Sequence, residues 1–423
     1  MVEEGKQVSE LLSVDAATSR ILRDVKPLPA ETLPLDDALD RVLAEDIVSD
    51  INLPPFPNSS MDGFAVRAAD VNGATGDAPA LLDVVMDIPA GTAPTGIVGA
   101  GQAARIMTGA PLPDGADAVV PVENTDHAYA QDGQAPLPPT VQIRRAVGVG
   151  DSVRAAGEDV RAGQRVLSAG TLLRPQELGL LAALGRALAP VVRRPVVAIV
   201  STGDELIQVH EPLTPGKIRD SNSTTLAALV RSYGGIALRL PIARDTVEDV
   251  RGRFHQALEA KPDIILSSAG VSVGTFDVVR TVLAELGQVD FWRINLRPGK
   301  PLAYGQLQGV PFFGLPGNPV SAMVTFDVFV RPMLLRLSQR PDAVPTAMAR
   351  ISERLKSDGR RSYLRVTLRR ENGHLVATTT GTQSSGALTS MVLADGLLIV
   401  PEGVTEVEAG SELEVRLLRP IYG

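Results

Sequence analysis

Residues 196–206 read VVAIVSTGDEL, a continuous apolar run that ends in small and acidic residues. A strand that is buried on both faces has this pattern, because neither of its faces meets water. Further buried strands are predicted at residues 264–267 and 311–315, and helices at residues 223–233, 246–260, 276–286 and 319–337. Alternating strands and helices are typical of a parallel sheet covered on both faces. Residues 186–338 are therefore predicted to form a central α/β domain.

The segments before this domain do not show the same alternation of predicted strands and helices. Residues 1–50 are predicted to be mainly helical, with helices over residues 14–25 and 35–45. Residues 150–185 end in another helical pattern, which predicts that they return to the first segment and complete a discontinuous helical linker domain. Between these segments, residues 51–149 carry short β-type runs separated by Gly and Pro, as expected of a β-rich insert domain.

The C-terminal segment, residues 339–423, is predicted to be a small β domain of barrel-like form. Two β-type runs flank Asn372-Gly373, and Asn-Gly is the strongest short signal of a β-hairpin. The expected fold class is therefore a multidomain α/β and β protein with a doubly covered central sheet.

The composition narrows the classes of function. The chain has 423 residues, 44% of them hydrophobic, and a net charge of -8. It can therefore form several cores, but it lacks the basic character of a general nucleic-acid-binding protein. Absence of cysteine excludes disulfides and zinc–thiolate sites. The polar, acidic start does not resemble a signal peptide, and no apolar run reaches the roughly 20 residues that span a bilayer. A cytoplasmic protein without nucleic-acid or membrane partners is expected.

Three unusual loops follow the predicted strands of the central domain, at residues 201–206, 267–274 and 314–319. Each is a turn of small residues before a helix, which leaves backbone N–H groups open to a phosphate or oxyanion. In the third loop, Asn318 can cap the helix and Pro319 suits its first position. Any one loop could be an ordinary connection. Three at the ligand-binding edge of one sheet favour an anion site.

Charged residues lie beside the same loops. Arg297 and Lys300 flank a stiff Pro-Gly turn, which suits anion capture, although basic residues in loops are often only solvated. Glu205, Asp220 and Asp277 supply carboxylates of the kind that hold Mg²⁺ together with substrate phosphates. Helix capping is the alternative for the last two. No P-loop, HExxH or G-x-S-x-G motif is present, and the four histidines are scattered.

Taken in order, nine motifs resemble the molybdopterin molybdenumtransferase family, whose relatives include the E domain of gephyrin. The matching stretches are residues 58–66, 105–110, 157–159, 201–206, 218–222, 270–277, 297–301, 315–321 and 383–386. The resemblance implies a four-part subunit, with a central domain like that of the molybdopterin adenylyltransferases. It also implies a homodimer whose active cleft is lined by both subunits.

The reaction implied is Mg²⁺-dependent insertion of molybdate into adenylated molybdopterin, with release of AMP. Transient contacts with a molybdopterin adenylyltransferase and with molybdoenzyme maturation proteins are also expected. The resemblance assigns catalytic roles to Asp62, Glu205, Asp220, Asp277 and Lys300, and metal binding to Glu205, Asp220 and Asp277. The substrate- and anion-binding positions that it implies are Thr108, Asp159, Ser272, Arg297, Pro301, Asn318, Ser321, Arg365 and Ser384.

The chain departs from the family pattern at three positions. Ala269 stands where Gly is usual, Arg297 where Lys is usual and Phe64 where Tyr is usual. Arg297 keeps the charge but replaces a compact ammonium with a planar fork. Neither Arg297 nor Ala269 removes a group that the implied chemistry needs.

Two other functions are compatible with parts of this pattern. A molybdopterin adenylyltransferase would have a similar core, but it needs only the central domain. A gephyrin-like scaffold would bind a partner segment in a groove between domains. The retained carboxylate and lysine motif favours an enzyme over a scaffold alone.

Overall fold

The computed structural model describes residues 11–127, 136–268 and 276–419. The α-helices in these ranges are α1 Val14–Leu22, α2 Pro175–Ala183, α3 Ser221–Ser232, α4 Val247–Glu259, α5 Phe276–Leu286, α6 Pro319–Thr325, α7 Arg331–Leu337 and α8 Leu388–Leu393. A π-helical turn, Phe326–Val330, connects α6 to α7. No described helix is long and apolar enough to cross a membrane.

The strands before residue 186 are β1 Ala30–Pro34, β2 Ile47–Val48, β3 Asn58–Ser59, β4 Gly63–Val66, β5 Ala80–Ile88, β6 Gln102–Ile106, β7 Ala118–Pro121, β8 Thr140–Ile143, β9 Val153–Arg154 and β10 Arg165–Leu167. Those between residues 186 and 338 are β11 Leu188–Val192, β12 Val196–Ser201, β13 Leu206–Ile207, β14 Ile218–Arg219, β15 Ile236–Arg239, β16 Ile264–Ser268, β17 Gly287–Arg293, β18 Leu296–Arg297, β19 Pro301–Leu307 and β20 Val310–Leu315. The last group is β21 Thr346–Ile351, β22 Leu355–Lys356, β23 Arg361–Glu371, β24 His374–Thr379, β25 Gly396–Val400, β26 Glu406–Val407 and β27 Glu412–Leu417.

The chain forms two compact units. One unit comprises Met1–Glu31, Asp40–Val42 and Pro190–Gly423, and the other comprises Thr32–Leu39 and Leu43–Ala189. The four predicted domains divide the chain more finely than these two units do, and their boundaries stay predictions.

The first unit is built on a six-stranded sheet of order β15-β12-β16-β20-β19-β17. Its first four strands are parallel. This confirms the parallel arrangement predicted for β12, β16 and β20, and β15 is a further parallel strand that the sequence pattern does not predict. The remaining two, β19 and β17, are antiparallel and were not predicted. Gly305 in β19 resembles a turn residue in the sequence, but a Cβ there would lie 2.0 Å from the carbonyl oxygen of Gln288. The glycine therefore permits close strand pairing rather than marking a loop.

Both faces of this sheet are covered by helices, which confirms the predicted doubly covered domain. Val197 and Ile199 of β12 pack in one core with residues of α3 and α6. The alternate residues Ala198 and Val200 pack in a second core with residues of α4 and α5. Period-two alternation places apolar side chains on both faces. This explains the continuous apolar run at the start of the motif.

The predicted helix over residues 319–337 is present, but it contains the π turn at its centre. Pro332 cannot donate the usual hydrogen bond to residue 328 because it lacks a backbone N–H. The wider turn, in which the Arg331 N–H donates to the carbonyl of Phe326, absorbs this interruption without breaking the helix.

The C-terminal part of the first unit is a closed five-stranded barrel of order β23-β24-β21-β27-β25, closed by pairing of β25 with β23. The predicted hairpin at its centre is confirmed. Asn372 and Gly373 adopt φ values of 50° and 81°, as a type I′ turn requires. Strand β18 of the α/β part pairs in parallel with β23 and so joins the barrel's sheet.

A largely buried ion-pair network also connects the barrel to the α/β part. The carboxylate of Asp327, in the π turn, lies 3.1 Å from Arg331 Nε and accepts a hydrogen bond from Arg416 on barrel strand β27. The Asp327 side chain is only 13% exposed. Charges in such surroundings are tolerated only when they are paired.

The second unit is β-rich, as predicted. Its main sheet has the order β7-β4-β6-β5-β8 and packs an apolar core on each face. Gly63 in β4 is required for close approach, because a Cβ there would lie 2.0 Å from the carbonyl oxygen of Val120. Within residues 150–185, β9 pairs with β3 and β10 pairs with β2.

The predicted helix over residues 35–45 is wrong. Only a single 3-10 turn, Leu35–Asp37, forms there. Pro34 precedes it, and Asp40 adopts a positive φ of 58°, which a helix cannot include. The apolar spacing in this segment comes from an irregular chain that buries Ala38, Val42 and Leu43.

Candidate anion-binding site

A cavity of about 860 Å³ lies in the first unit, beyond the carboxyl ends of strands β12, β16 and β20. This is where an open α/β sheet binds ligands. All three predicted loops line it, the first through Glu205, the second through Ser268 at the end of β16 and the third through residues 316–319. Its charged lining consists of Glu205, Arg219, Asp220, Arg297, Lys300 and Arg360. Among the described residues of its lining, four basic side chains face two acidic ones, in a chain of net charge -8.

The two carboxylates of the cavity differ in their surroundings. Asp220 is buried, and its Oδ1 accepts the Ser223 N–H at 2.9 Å, so it does cap α3. Glu205 is exposed, and its carboxylate has no partner among the described residues. A side chain at Gly203 would come within 2.6 Å of that carboxylate. The glycine therefore leaves room for Glu205.

The predicted cations Arg297 and Lys300 both line the cavity. Lys300 is half-buried, and its ammonium contacts no hydrogen-bonding or acidic group of the described chain. Its carbonyl accepts the Ile294 N–H at 2.7 Å, which fixes the turn. Arg297 lies 3.6 Å from the carboxylate of Asp358. Lys300 is thus the cation left open to a ligand.

Arg365 does not line the cavity. It is fully buried (0% exposed) behind the loop that does. Its Nη2 donates to the carbonyl of Ser384 at 3.1 Å and its Nε to Ser390 Oγ at 3.1 Å. Within the described chain, Nη1 has no hydrogen-bond partner. Burial, together with the charge of Arg297, lowers the pKa of Arg365 to about 10.

The loop around Ser384 closes one wall of the cavity against α6. The Val320 N–H in the first turn of α6 donates to the carbonyl of Ser385 at 3.0 Å. Ser321 and Pro301 line the cavity beside this contact. Asn318 occupies the N-cap position, but its side chain makes no capping hydrogen bond. The capping interpretation is therefore wrong for its side chain, and Asn318 lines the cavity instead.

Three predicted site residues lie in the second unit. The carboxylate of Asp62 accepts the Thr108 N–H at 2.5 Å, so these two residues are brought together. Asp159 is exposed in a separate turn, where its N–H donates to the carbonyl of Leu53 at 2.9 Å. Phe64 is buried in the core of this unit, 5.9 Å from the ring of His127. An apolar ring therefore suits its position.

Ser272 and Ala269 lie outside the described residues, and so does the side chain of Asp277, although its backbone begins α5. Their predicted roles stay predictions.

Sequence reasoning missed several residues of the cavity. Arg219, held by the carbonyls of Val209 and Glu211, comes from the β14 strand. Asn222 donates to the carbonyl of Gly317 at 2.7 Å and thereby ties α3 to the third loop. Arg360 reaches the cavity from a turn of the barrel. Arg219 and Asn222 could have been suggested by their closeness in sequence to Asp220. Arg360 has no such signal.

Three family descriptions match successive parts of the chain. Residues 12–185 match the "MoeA N-terminal region (domain I and II)". Residues 198–336 match the "Probable molybdopterin binding domain", and residues 348–418 match the "MoeA C-terminal region (domain IV)".

Full-length relatives extend this match. Molybdopterin molybdenumtransferase 2 of Mycobacterium tuberculosis is 40% identical over 405 residues, which cover 94% of this chain and 96% of the relative. The molybdopterin molybdenumtransferase of Bacillus subtilis is 35% identical over 97% of this chain and 95% of its own length.

Solved structures agree with these sequence matches and confirm the predicted fold class. A crystal structure of the molybdopterin biosynthesis moeA protein from Pyrococcus horikoshii has a TM-score of 0.79 and 30% identity, and covers 96% of this chain. Another crystal structure, of the molybdopterin biosynthesis moea protein from Pyrococcus horikosii, has a TM-score of 0.83 and 32% identity. It covers 97% of this chain and 100% of the solved one. The predicted resemblance is confirmed, and the chain belongs to the molybdopterin molybdenumtransferase family.

Proposed function

We propose that this protein inserts molybdate into adenylated molybdopterin and releases AMP, as a step of molybdenum-cofactor assembly. The observation that carries the proposal is the excess of basic over acidic side chains in one cavity at the strand ends of the central sheet. An acidic protein has little reason to concentrate cations there unless the ligand is anionic.

The reaction brings two anions together, molybdate and the phosphates of the adenylated pterin. Their mutual repulsion must be offset by fixed positive charge. Lys300 and Arg297 supply it at the cavity wall, and Arg365 adds a buried cation behind the Ser384 loop. Because Arg365 is held by its hydrogen bonds and Arg297 lies beside Asp358 before the ligand arrives, these two cations need little reorganisation when the charges meet.

The chemical change can be balanced without a redox step. The phosphoanhydride bond between the pterin's phosphate and AMP takes up water and breaks, so AMP leaves. One molybdate oxygen leaves as water with the protons of the two pterin thiols, and two Mo–S bonds form. The protein's contribution is to bind and orient the two anions, a type of contribution that can be large in effective concentration.

Magnesium fits the carboxylates of this cavity. Mg²⁺ is commonly held by one or two carboxylates together with substrate phosphates and water, and Glu205 and Asp220 both line the cavity. Asp220 has one oxygen committed to its cap, which leaves Oδ2 and the whole of Glu205 for an ion. No group of three potential ligands occurs in the described ranges. When bound, the ion would offset phosphate charge.

Further parts of the proposal concern assembly and location. We infer that the protein works in the cytoplasm as a homodimer whose active cleft is lined by both subunits, and that Asp62, Thr108 and Asp159 take part in the reaction. The acceptance of the Thr108 N–H by Asp62 supports a preorganised carboxylate at this position. Sedimentation at micromolar concentration is expected to give a dimer; a stable monomer would contradict the shared cleft.

A single-turnover assay tests the activity. AMP release from adenylated molybdopterin is expected to require both molybdate and Mg²⁺. Lys300→Met is expected to slow it by about 100-fold, since a buried charge-assisted contact is lost. Lys356→Met, at an exposed position of strand β22, is the matched control and is expected to be unaffected. AMP release without molybdate would contradict the proposal.

Molybdopterin adenylyltransferase activity is the alternative reaction. It would consume ATP, whereas the proposed insertion consumes none. Incubation of the protein with molybdopterin and ATP therefore separates the two, because only the alternative would form adenylated molybdopterin.

A further inference from the structure

Arg360 enters the anion cavity from the barrel, through the turn that connects β22 to β23. Three hydrogen bonds hold its guanidinium. Its Nη1 donates to the carbonyl of Leu296 at 3.2 Å, and its Nε and Nη2 donate to Asp358 Oδ2 at 3.0 and 2.5 Å. The side chain is therefore oriented before any ligand is bound, although part of it stays exposed.

Asp358 faces two cations at once. The Oδ2 that accepts from Arg360 also lies 3.6 Å from Arg297 Nη1. Its Oδ1 accepts the Arg360 backbone N–H at 3.2 Å. The guanidinium of Arg360, with a smaller contribution from Arg297, holds the pKa of Asp358 below its usual value. The carboxylate is thus an internal anion placed between two arginines of the cavity wall.

The turn that carries this pair is well fixed. Ser357 donates its N–H to Thr405 at 2.8 Å, and the Gly403 N–H donates to Gly359 at 2.8 Å. Gly359 adopts φ of 83°, which favours glycine. Asp358 is 40% exposed, so its charge is partly screened by solvent. Anions from solution can therefore approach the arginines beside it.

We propose that Arg360 is a further binding residue for a tetrahedral oxyanion and that Asp358 is a specificity-determining residue which competes with that anion for Arg297 and Arg360. The inference rests on the proposed function for the identity of the anion, molybdate or a phosphate group of the pterin substrate. An anion that meets only the two arginines gains less, because Asp358 already offsets part of their positive charge. One that also reaches Lys300 gains a cation without a counter-charge.

Equilibrium titrations of the full-length protein test the proposal without turnover. Sodium molybdate and AMP are titrated separately, to distinguish free oxyanion from phosphate ester. The variants are Asp358→Asn and Arg360→Ala, with Glu408→Gln as the matched control. Glu408 lies on the same barrel, pairs with Arg354 and does not line the cavity. The amide oxygen introduced by Asp358→Asn can still accept from Arg360, so the substitution removes mainly the charge.

Asp358→Asn is expected to tighten binding of at least one of the two ligands by on the order of fivefold, the range of a partly exposed ion pair. Arg360→Ala is expected to weaken the same ligand by about tenfold. Arg360→Lys keeps the charge and is expected to fall between, because an ammonium cannot reproduce the fork. The control is expected to match the wild type. The ligand that responds identifies the source of the oxyanion.

Unchanged or weaker binding of both ligands in Asp358→Asn would overturn the competition. Unchanged binding in folded Arg360→Ala, or no binding of either ligand to the wild type, would overturn the site itself. Failure of the proposed function is distinguishable, because then AMP release would be absent while the opposite shifts of the two variants remained.

Discussion

Arg365 Nη2 donates to the carbonyl of Ser384 at 3.1 Å, so a fully buried cation of the barrel is tied to the loop that closes the anion cavity. The same guanidinium donates to Ser390 Oγ. A change at Arg365 is therefore expected to alter the Ser384 loop and, through this loop, the wall of the anion cavity.

Arg365→Lys tests this coupling. A lysine keeps the charge but cannot donate to both Ser384 and Ser390 from one planar group. Molybdate affinity, measured by equilibrium dialysis, is expected to fall about tenfold. Ser390→Ala is the control. It removes one contact of the same guanidinium and is expected to cost about 1 kcal/mol of unfolding free energy with little change in affinity. Equal losses of affinity in the two variants would assign Arg365 a purely structural role.

Asp327→Ala is expected to destabilise the first unit strongly. Its loss leaves Arg331 and Arg416 without their shared carboxylate, and breaking a buried pair typically costs about 3–5 kcal/mol. Urea unfolding measures this change. Asp342→Ala removes another partner of Arg331, but Asp342 is 53% exposed. That variant is expected to lose less than about 1 kcal/mol, and a loss as large as that of Asp327→Ala would contradict the buried-pair explanation.

Two substitutions at Asp62 separate folding from catalysis. Asp62→Asn keeps an oxygen that can accept the Thr108 N–H, so unfolding free energy is expected to change by less than about 1 kcal/mol. Single-turnover AMP release is nevertheless expected to fall at least about tenfold, because the negative charge is gone. Asp62→Ala is expected to lose both activity and stability. Full activity of Asp62→Asn would mean that only the hydrogen bond matters.

The Asp87–Arg105 pair predicts part of the acid sensitivity of the second unit. Both carboxylate oxygens of Asp87 accept from Arg105, at 2.8 and 2.6 Å, and this contact lowers the pKa of Asp87 below 3.8. The unfolded chain therefore takes up the proton first as pH falls, and the stabilisation present above pH 3.8 is lost as pH drops through the lowered pKa. The pair is partly exposed, so about 0.5–1 kcal/mol is expected.

Urea unfolding of the wild type and of Asp87→Asn at pH 6 and pH 3 measures this contribution. The variant is expected to be less stable at the higher pH, and the difference is expected to shrink at the lower pH. A difference that is constant with pH would contradict the assignment to this ion pair.

The central sheet could be predicted from the sequence because β12 and β16 are buried on both faces and therefore uniformly apolar. The antiparallel strands β19 and β17 could not, because glycines and polar residues interrupt their apolar pattern, as they do in loops. Over residues 35–45 the sequence instead predicts a regular element, a helix, that does not form. The apolar residues of this segment are buried by an irregular chain whose conformation depends on tertiary contacts rather than on a local period.

The candidate site was predictable only where its residues follow strands directly. Glu205 and Lys300 stand in recognisable turns of small residues. Arg360 comes from a barrel turn that is distant in sequence, and its approach depends on pairing of β18 with β23. The capping hydrogen bond expected from the Asn318 side chain also depends on a residue distant in sequence. It does not form, because the carbonyl of Ser385 accepts an N–H of the first turn of α6 instead.

Pairing of β18 with β23 has a consequence for dividing the protein. A chain cut after residue 338 would retain the whole central sheet but would leave the backbone of Leu296 and Arg297 without its neighbour. The turn between Arg297 and Lys300 would lose the support of strand β23. The unpaired edge of β18 would also favour association between molecules. The α/β part and the barrel are successive along the chain, but they share one hydrogen-bonded sheet, so truncation would damage the part that it was meant to isolate.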